Sequence, residues 1–211
     1  MTDRLTVYET EAKNNGFRFI LGVDEAGRGP LAGPVVAAAV YLTSFDFKNT
    51  INDSKKMTEK SRAKAFDEIF ENGFVGIGMM SEVAIDQVNI LNASHRAMEE
   101  AVKQLIRRLP GDITMDARFT RQVMILIDGN SFRSELLFKH TTIIGGDAKS
   151  LSIACASIVA KVYRDRIMEK YDGIYPLYGF KGHKGYPTQA HRQAIKDHGP
   201  SVIHRKSFAL I

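Results

Sequence analysis

The stretch FRFILGVDEAGRGP, residues 17–30, decides the fold. An apolar run leads into two adjacent carboxylates, Asp24 and Glu25, and then into an arginine between two glycines. The run Phe17–Val23 predicts a buried strand that ends at Asp24. Neighbouring acids repel each other and glycines weaken the local backbone, so the arrangement indicates a fold detail or a function that compensates for this cost.

Apolar runs and turn residues predict an α/β fold, with a mixed sheet flanked by helices. Strands after the first are predicted at Val35–Leu42, Val75–Met79, Val123–Ile127 and Thr141–Ile144. Helices are predicted from Thr58 to about Phe70, in one long segment ending at Leu109, over Leu151–Lys170 and near Gln189–Asp197. The connection 110–122 is longer than expected for such a sheet, and the C-terminal portion is predicted to be small, basic and mainly helical or irregular.

Composition indicates an ordinary globular chain, with 44% hydrophobic and 25% charged residues among 211. We expect a single domain over residues 1–211, of which about 171–211 form the basic portion. The single cysteine, Cys155, excludes an internal disulfide and a cysteine-rich zinc site, and its alanine-rich helix predicts a buried, inert thiol. Without a signal-like or membrane-spanning run, we expect a cytoplasmic monomer that contacts no membrane.

Positive charge is concentrated at the end of the chain. Residues 171–211 contain six Lys or Arg and two acids, which gives +4 of the net +5, together with four of the six histidines. A basic face suits a polyanion such as nucleic acid, although a solvated charged surface has the same composition. The histidines His183, His191 and His204 do not have the spacing of a compact zinc site, and we interpret them as surface residues.

Carboxylates follow three of the predicted strands, each with a glycine close by: Asp24 and Glu25, Asp128, and Asp147. Strand ends in an open α/β sheet form a crevice where ligands bind. Acids converging there repel one another unless a cation lies among them, and Mg²⁺ and Mn²⁺ take oxygen ligands. A lone acid at a strand end is usually a turn or cap residue, but an adjacent pair is harder to explain in that way. The pattern indicates metal-dependent phosphodiester cleavage.

Seven blocks of sequence then resemble the bacterial ribonuclease HII family, a type 2 ribonuclease H. They are DEAGRGPLAGPVV (24–36), NDSKKMT (52–58), IDQVNILNASHRAM (85–98), LIDGN (126–130), GGDAKSLSIACASIVAKVYRDRIM (145–168), YGFKGHKGYPT (178–188) and HRKSF (204–208). The resemblance covers nearly the whole chain. It implies a ribonuclease H-like core that cuts the RNA strand of RNA–DNA hybrids and single ribonucleotides embedded in duplex DNA, leaving a 3′-hydroxyl and a 5′-phosphate.

The resemblance also implies roles for individual residues. Asp24, Glu25, Asp128 and Asp147 would be the catalytic carboxylates that bind Mg²⁺ or Mn²⁺. The loop Gly27-Arg28-Gly29 would contact the backbone around the 2′-hydroxyl, and Tyr186 would stack on the following deoxyribose. Together they would recognise an RNA-to-DNA step, because only the 2′-hydroxyl distinguishes the two backbones.

Further substrate contacts are expected at Lys55, Lys56 and Lys184, and at Ser157, Lys161 and Arg164. The last three residues fall on one helical stripe that is expected to face the DNA strand, although a solvated helix face has the same spacing. Ser54 and the two lysines after it have the alternative of a capping turn. Asp165 has two interpretations, approach to the metal site or pairing with a neighbouring arginine such as Arg164 or Arg166, and the structural one is favoured.

Two alternatives remain at this point. Ribonuclease HIII normally carries an extra N-terminal substrate-binding domain, and only about twenty residues precede Asp24. A non-catalytic module that binds hybrids would gain nothing from the acids, because phosphates repel them. Turnover that depends on a divalent metal separates an enzyme from such a module.

Overall fold

The computed structural model describes residues 5–110 and 116–211. Its strands are β1 Phe19–Ala26, β2 Val35–Leu42, β3 Gly73–Met80, β4 Val123–Asp128 and β5 Lys139–Ile143. Its α-helices are α1 Val7–Asn14, α2 Glu59–Glu71, α3 Glu82–Val88, α4 Ile90–Ile106, α5 Ala117–Thr120, α6 Leu151–Ile174, α7 Phe180–His183 and α8 Gln189–His198. The predicted α/β class is confirmed. Of the long connection 110–122, residues 111–115 lie outside the described residues.

The strands form one mixed sheet in the order β3-β2-β1-β4-β5. β1, β2 and β3 pair antiparallel, with α2 in the connection from β2 to β3, whereas β4 pairs parallel with β1 and β5 pairs parallel with β4. The carboxyl ends of β1, β4 and β5 therefore meet at one edge of the sheet, where a crevice is expected.

Two predicted boundaries are wrong in ways that affect the site. β1 continues to Ala26, so that Asp24 and Glu25 lie within the strand and not after it. The long helix is two helices, α3 and α4, separated at Asn89, whose φ of 66° does not continue a right-handed helix. The Asn89 side chain accepts a hydrogen bond from the Asn92 N–H and so begins α4.

Helices cover both faces of the sheet. α4 packs on one face, and it approaches closely because β3 presents Gly76 and Gly78, where a Cβ would lie 2.0 Å from a helix carbonyl oxygen. α6 and α2 pack on the other face, around a cluster that contains the fully buried Cys155, as predicted. Among the residues described, no helix has both the length and the apolar character needed to cross a bilayer.

The C-terminal portion has its own small core beside α6. Tyr178, Phe180 and Ile195 pack there against Met168 of α6 and Leu31 of the β1–β2 connection. The basic portion is therefore fixed to the same loop that carries Gly27-Arg28-Gly29.

Candidate active site

The parallel pairing of β1 with β4 brings two acids together. Val23 is in register with Ile127, so the next residues, Asp24 and Asp128, lie side by side on neighbouring strands. Residues in register on adjacent strands point to the same face. Here that face is the one covered by α6.

A glycine in β1 lets α6 approach these acids. A Cβ on Gly22 would lie 2.1 Å from the backbone carbonyl carbon of Ser152, so the helix backbone rests directly on the strand. Further along α6, the Ser157 Oγ lies 2.9 Å from the Ser54 Oγ, and the Ser157 hydroxyl favours the charged form of Asp24, which acts to lower the pKa of that acid. Ser157 is buried, so its observed role is to join α6, the acid and the Ser54 turn.

Glu25 faces away from Asp24 but remains linked to it. The Glu25 N–H donates a 2.7 Å hydrogen bond to Asp24 Oδ1. The Glu25 carboxylate lies 3.3 Å from Nη1 of Arg28, which is half exposed at the edge of the site. Arg28 is therefore the cation that partly neutralises this acid.

Asp147 reaches the site from a 3₁₀ turn, Gly146–Ala148, that follows β5. The Gly146 N–H donates a 2.7 Å hydrogen bond to Asp128 Oδ1, which fixes the turn against the end of β4. Lys55 Nζ lies 3.8 Å from Asp147 Oδ2. The structure thus brings Asp147 and Lys55 to the edge where Asp24 and Asp128 lie.

The electrostatics of the cluster disfavour four free negative charges. Burial raises the pKa of Asp24 well above its ordinary value, and the charges of Glu25 and Asp128 raise it further. Burial also raises the pKa of Glu25, against the opposing effect of Arg28. The pKa of Asp147 is raised by burial and then by Asp128. Arg28 and Lys55 compensate the acids only in part, and a bound divalent ion would relieve the remaining repulsion.

Lys55 is the basic residue that responds to this field. Its partial burial acts to lower its pKa, but Asp147, Asp24 and other nearby acids outweigh that effect and raise it. One ammonium on a flexible stem gives only partial compensation, since its side chain is 81% exposed.

The donor set suits Mg²⁺ or Mn²⁺ because it consists of carboxylate oxygens without cysteine or histidine. Within residues 5–110 and 116–211, no three acidic, histidine or cysteine side chains converge closely enough to form a ready ligand shell. The carboxylates of Glu25 and Asp147 instead turn toward Arg28 and Lys55. The carboxylate oxygens of the site fit a hard cation. When such a cation binds, Glu25 and Asp147 would exchange their contacts with Arg28 and Lys55 for contacts with the ion.

The glycine loop and Tyr186 face each other beside the acids. A Cβ on Gly29 would be 3.6 Å from Tyr186 Cε1, which is ordinary contact distance. Lys161 Nζ lies 5.9 Å from the centre of the Tyr186 ring and 2.8 Å from Asp165 Oδ1. Asp165 therefore pairs with Lys161. The partner predicted from the sequence was an arginine, and that prediction is wrong.

Other predicted contact residues have partners within the protein. Lys56 Nζ lies 3.5 Å from Asp53, at the surface. Lys184 Nζ lies 2.6 Å from Glu169, and its side chain is 13% exposed. Neither of these lysines adjoins the acid cluster as Lys55 does.

The prediction that Arg164 lies on an exposed helix face is wrong. Its side chain is fully buried and donates hydrogen bonds to backbone carbonyl oxygens of Pro34, Ala32 and Lys184. The helical spacing was right, but the C-terminal portion covers this part of the stripe.

The interpretation of the histidines as surface residues is also wrong for two of them. His191 and His204 are buried, with their Nε2 atoms 3.1 Å apart. The Ser201 N–H donates to His204 Nδ1, so Nε2–H of His204 donates to His191, whose Nδ1–H then donates to the Tyr186 carbonyl. This chain requires both rings to be neutral, and burial lowers the pKa of His191 to about 4. It supports the backbone of Tyr186.

Sequence reasoning gave no role to His191, His204 or Arg205. Arg205 is fully buried and donates hydrogen bonds to carbonyl oxygens of Gly27, Arg28 and Gly33. No local pattern distinguishes such residues from exposed ones in a basic segment, because their partners lie far away along the chain.

The sheet order and the acids gathered at its parallel end define a protein of the ribonuclease H-like α/β class. A family model described as Ribonuclease HII matches residues 21–211. The chain belongs to the ribonuclease HII family, and it is accordingly a nuclease, a hydrolase. It is 48% identical to the ribonuclease HII of Acetivibrio thermocellus over 97% of this chain and 75% of that protein. It is 48% identical to that of Fusobacterium nucleatum over 99% of this chain and 91% of that protein.

Solved structures share the fold. The ribonuclease H2 of Pyrococcus horikoshii matches with a TM-score of 0.69 and 24% identity, over 92% of this chain and 95% of that one. The Archaeoglobus fulgidus ribonuclease HII, solved in complex with PCNA, has a TM-score of 0.69 and 23% identity, over 90% of this chain and 95% of that one. A Bst-RNase HIII solved with Mn²⁺ has a TM-score of 0.64 and 16% identity, over 94% of this chain and 70% of that one.

Proposed function

We propose that the protein is an endoribonuclease that hydrolyses the RNA strand of RNA–DNA hybrids and cuts duplex DNA on the 5′ side of an embedded ribonucleotide. The products are a 3′-hydroxyl and a 5′-phosphate. The observation that carries this proposal is the joint position of Asp24, Asp128 and Asp147 at one sheet edge, beside a glycine loop that faces Tyr186.

Asp24, Glu25, Asp128 and Asp147 would hold the divalent ions. When bound, Mg²⁺ or Mn²⁺ supplies Lewis-acid stabilisation of phosphate oxygens and lowers the pKa of a water molecule. The raised pKa values of Asp24, Glu25 and Asp147 support this assignment, because the uncompensated acids attract cations. Lys55 lies where it would contact a phosphate while it balances Asp147.

Substrate selection is assigned to the facing elements. Gly27-Arg28-Gly29 would bind the backbone around the 2′-hydroxyl, and the half-exposed ring of Tyr186 would stack on the next sugar. Lys161 is assigned to a phosphate contact because its Nζ lies 5.9 Å from the centre of the Tyr186 ring. Lys56 and Lys184, which are paired with Asp53 and Glu169, are assigned to weaker contacts with the DNA backbone.

We also infer that residues 1–211 act as one catalytic domain and as a monomer, with residues 171–211 as the substrate-binding portion. The single domain is supported by the small core that joins Phe180 and Ile195 to Leu31, in the loop after β1. That loop also carries Gly27-Arg28-Gly29, so the portion is joined directly to the element assigned to substrate selection.

The test is a nicking assay with a labelled DNA duplex that contains one ribonucleotide, in Mg²⁺, Mn²⁺ or EDTA. An all-DNA duplex and an all-RNA duplex serve as controls. We expect metal-dependent nicking on the 5′ side of the ribonucleotide, with both controls intact. Binding to the duplex without cleavage in either metal would instead identify a non-catalytic module.

A matched pair of variants assigns the activity to the acids. Asp128→Asn is expected to lower the nicking rate at least about a thousandfold, because it removes one ligand charge from the centre. Asp67→Asn makes the same change at an exposed acid of α2 and should leave the rate unaltered. Comparable rates for the two variants would place the reaction elsewhere.

A further inference from the structure

Arg205 holds the carbonyl oxygens of the glycine loop on its buried side. Its guanidinium is fully buried and donates to the carbonyl oxygens of Gly27 at 2.6 Å, Arg28 at 3.0 Å and Gly33 at 2.8 Å. In a trans peptide the carbonyl and the following N–H point in opposite directions. With the carbonyls of Gly27 and Arg28 bound inward, the N–H groups of Arg28 and Gly29 point outward, toward the position assigned to the substrate.

Arg164 connects this loop to the segment that carries Tyr186. Its Nε donates to the Pro34 carbonyl at 3.0 Å and its Nη2 to the Ala32 carbonyl at 3.1 Å. Its Nη1 donates to the Lys184 carbonyl at 2.9 Å, two residues before Tyr186. One planar guanidinium therefore links the loop that carries Gly27-Arg28-Gly29 to the segment that carries Tyr186.

The loop is shaped to admit this side chain. Gly27 has a φ of +100°, and a Cβ there would lie 2.1 Å from Arg164 Nε. Only glycine allows both that backbone conformation and that approach. A second link runs parallel to the first, since the Leu31 N–H donates to the Gly185 carbonyl at 2.8 Å.

The two arginines are costly residues for a core. Among the residues described, neither forms an ion pair with a carboxylate, and each is satisfied by carbonyl oxygens. Burial lowers the pKa of Arg164 to about 10 and that of Arg205 to about 9, so both remain charged at neutral pH. Apolar side chains would fill the same volume at lower cost but would hold no carbonyl in place. The two buried arginines therefore fix the relative positions of the backbone segments whose carbonyl oxygens they bind.

We propose that Arg164 is a positioning residue that fixes the spacing between the Gly27-Arg28-Gly29 loop and Tyr186, and thereby the preference for an RNA-to-DNA step. The inference rests on the proposed function, which assigns substrate selection to those two elements. Arg164 itself touches no substrate. Its effect on selectivity passes through the Lys184 carbonyl to Tyr186.

The test compares two substrates within each variant. The quantity measured is kcat/KM for a duplex with one ribonucleotide, divided by kcat/KM for a continuous RNA–DNA hybrid. Arg164→Lys keeps the charge but loses the fork that reaches both segments. We expect this ratio to fall about tenfold, because a small misplacement of positioning groups is costly. Arg166→Lys, the same change two residues along α6 at an exposed position, should keep the wild-type ratio.

A double-mutant cycle shows whether Arg164 acts through Tyr186. In a Tyr186→Ala background, Arg164→Lys should change the ratio by about twofold or less, since the element that it positions is gone. A role in stability alone would reduce cleavage of both substrates equally and leave the ratio unchanged, which overturns the inference. If the lysine variant does not fold, Arg164→Gln, with one amide donor, takes its place in the same cycle.

The wild-type protein separates this inference from the function beneath it. Failure of the wild type to cleave either substrate overturns the proposed function, and the inference with it. Wild-type cleavage with a preference for the single ribonucleotide, kept by Arg164→Lys, overturns only the inference.

Discussion

Two regions of this molecule bury charge, and they treat it in opposite ways. At the edge of the sheet, Asp24 and its neighbours keep like charges close together, with raised pKa values. Where α6 meets the C-terminal portion, Arg164 and Arg205 are more deeply buried, yet carbonyl oxygens satisfy them. Repelling acids are what a site for a cation needs, whereas a buried cation that hydrogen-bonds several carbonyl oxygens holds backbone segments at a set distance.

The two regions also differ in their response to acid. Folded-state pKa values of the carboxylates above their ordinary values mean that acidification relieves repulsion in the folded protein. The lowered pKa of His191 has the opposite consequence, because a proton on that ring breaks the hydrogen-bond chain to Tyr186. Each region can therefore be perturbed separately.

The largest expected effect comes from the packing beneath the acids. Gly22→Ala would place a Cβ 2.1 Å from the Ser152 carbonyl carbon, and the backbones of β1 and α6 would have to separate. We expect unfolding to become easier by about 3 kcal/mol or more, as for other overpacked cores. Chemical denaturation measures this.

Gly173→Ala is the control for that change. Gly173 lies on α6, the helix that packs on Gly22, and an added Cβ there meets nothing within 4 Å. Equal stability of the two variants would show that α6 does not rest on β1 as described.

A smaller effect is expected from the histidine chain. Between pH 6.5 and about pH 4, the side chain of His191 is mostly protonated in the unfolded protein and mostly neutral in the folded protein. The folded protein therefore loses stability as pH falls through this window. The loss is at most about 3 kcal/mol. His191→Asn keeps an N–H donor for the Tyr186 carbonyl but does not titrate, and it should lose less stability between pH 6.5 and 4.

Denaturation at several pH values gives the comparison, with His140→Asn as the control at an exposed histidine of β5. The carboxylates titrate alike in all three proteins, so their opposite contribution cancels. If His191→Asn and wild type lose stability in parallel, His191 is not held neutral by its neighbours.

The acid cluster was predictable from the sequence because its pattern is local. An apolar run that leads into Asp24 or Asp128 identifies both the strand and the acid near its carboxyl end. Asn89 was missed as a helix break because its left-handed conformation is rare for a residue other than glycine.

The framework of the C-terminal portion was not predictable in this way. Arg164 lies on a helix whose spacing suits an exposed face, and only the carbonyls of Ala32 and Pro34, about 130 residues away, explain its burial. His191 and His204 are polar residues in a basic segment, which is the composition of a surface. Long-range partners decide their positions, and a single sequence does not display them.

The most direct test of the account is the thermal unfolding of wild type and Asp24→Asn, each in EDTA and in Mn²⁺. The amide keeps the acceptor for the Glu25 N–H but removes a repelling charge. In EDTA we expect Asp24→Asn to be more stable than wild type by about 1 kcal/mol, whereas Mn²⁺ should stabilise wild type and have little effect on the variant. A variant that is less stable in EDTA, yet gains as much from Mn²⁺ as wild type, would contradict the assignment of this cluster as a metal centre.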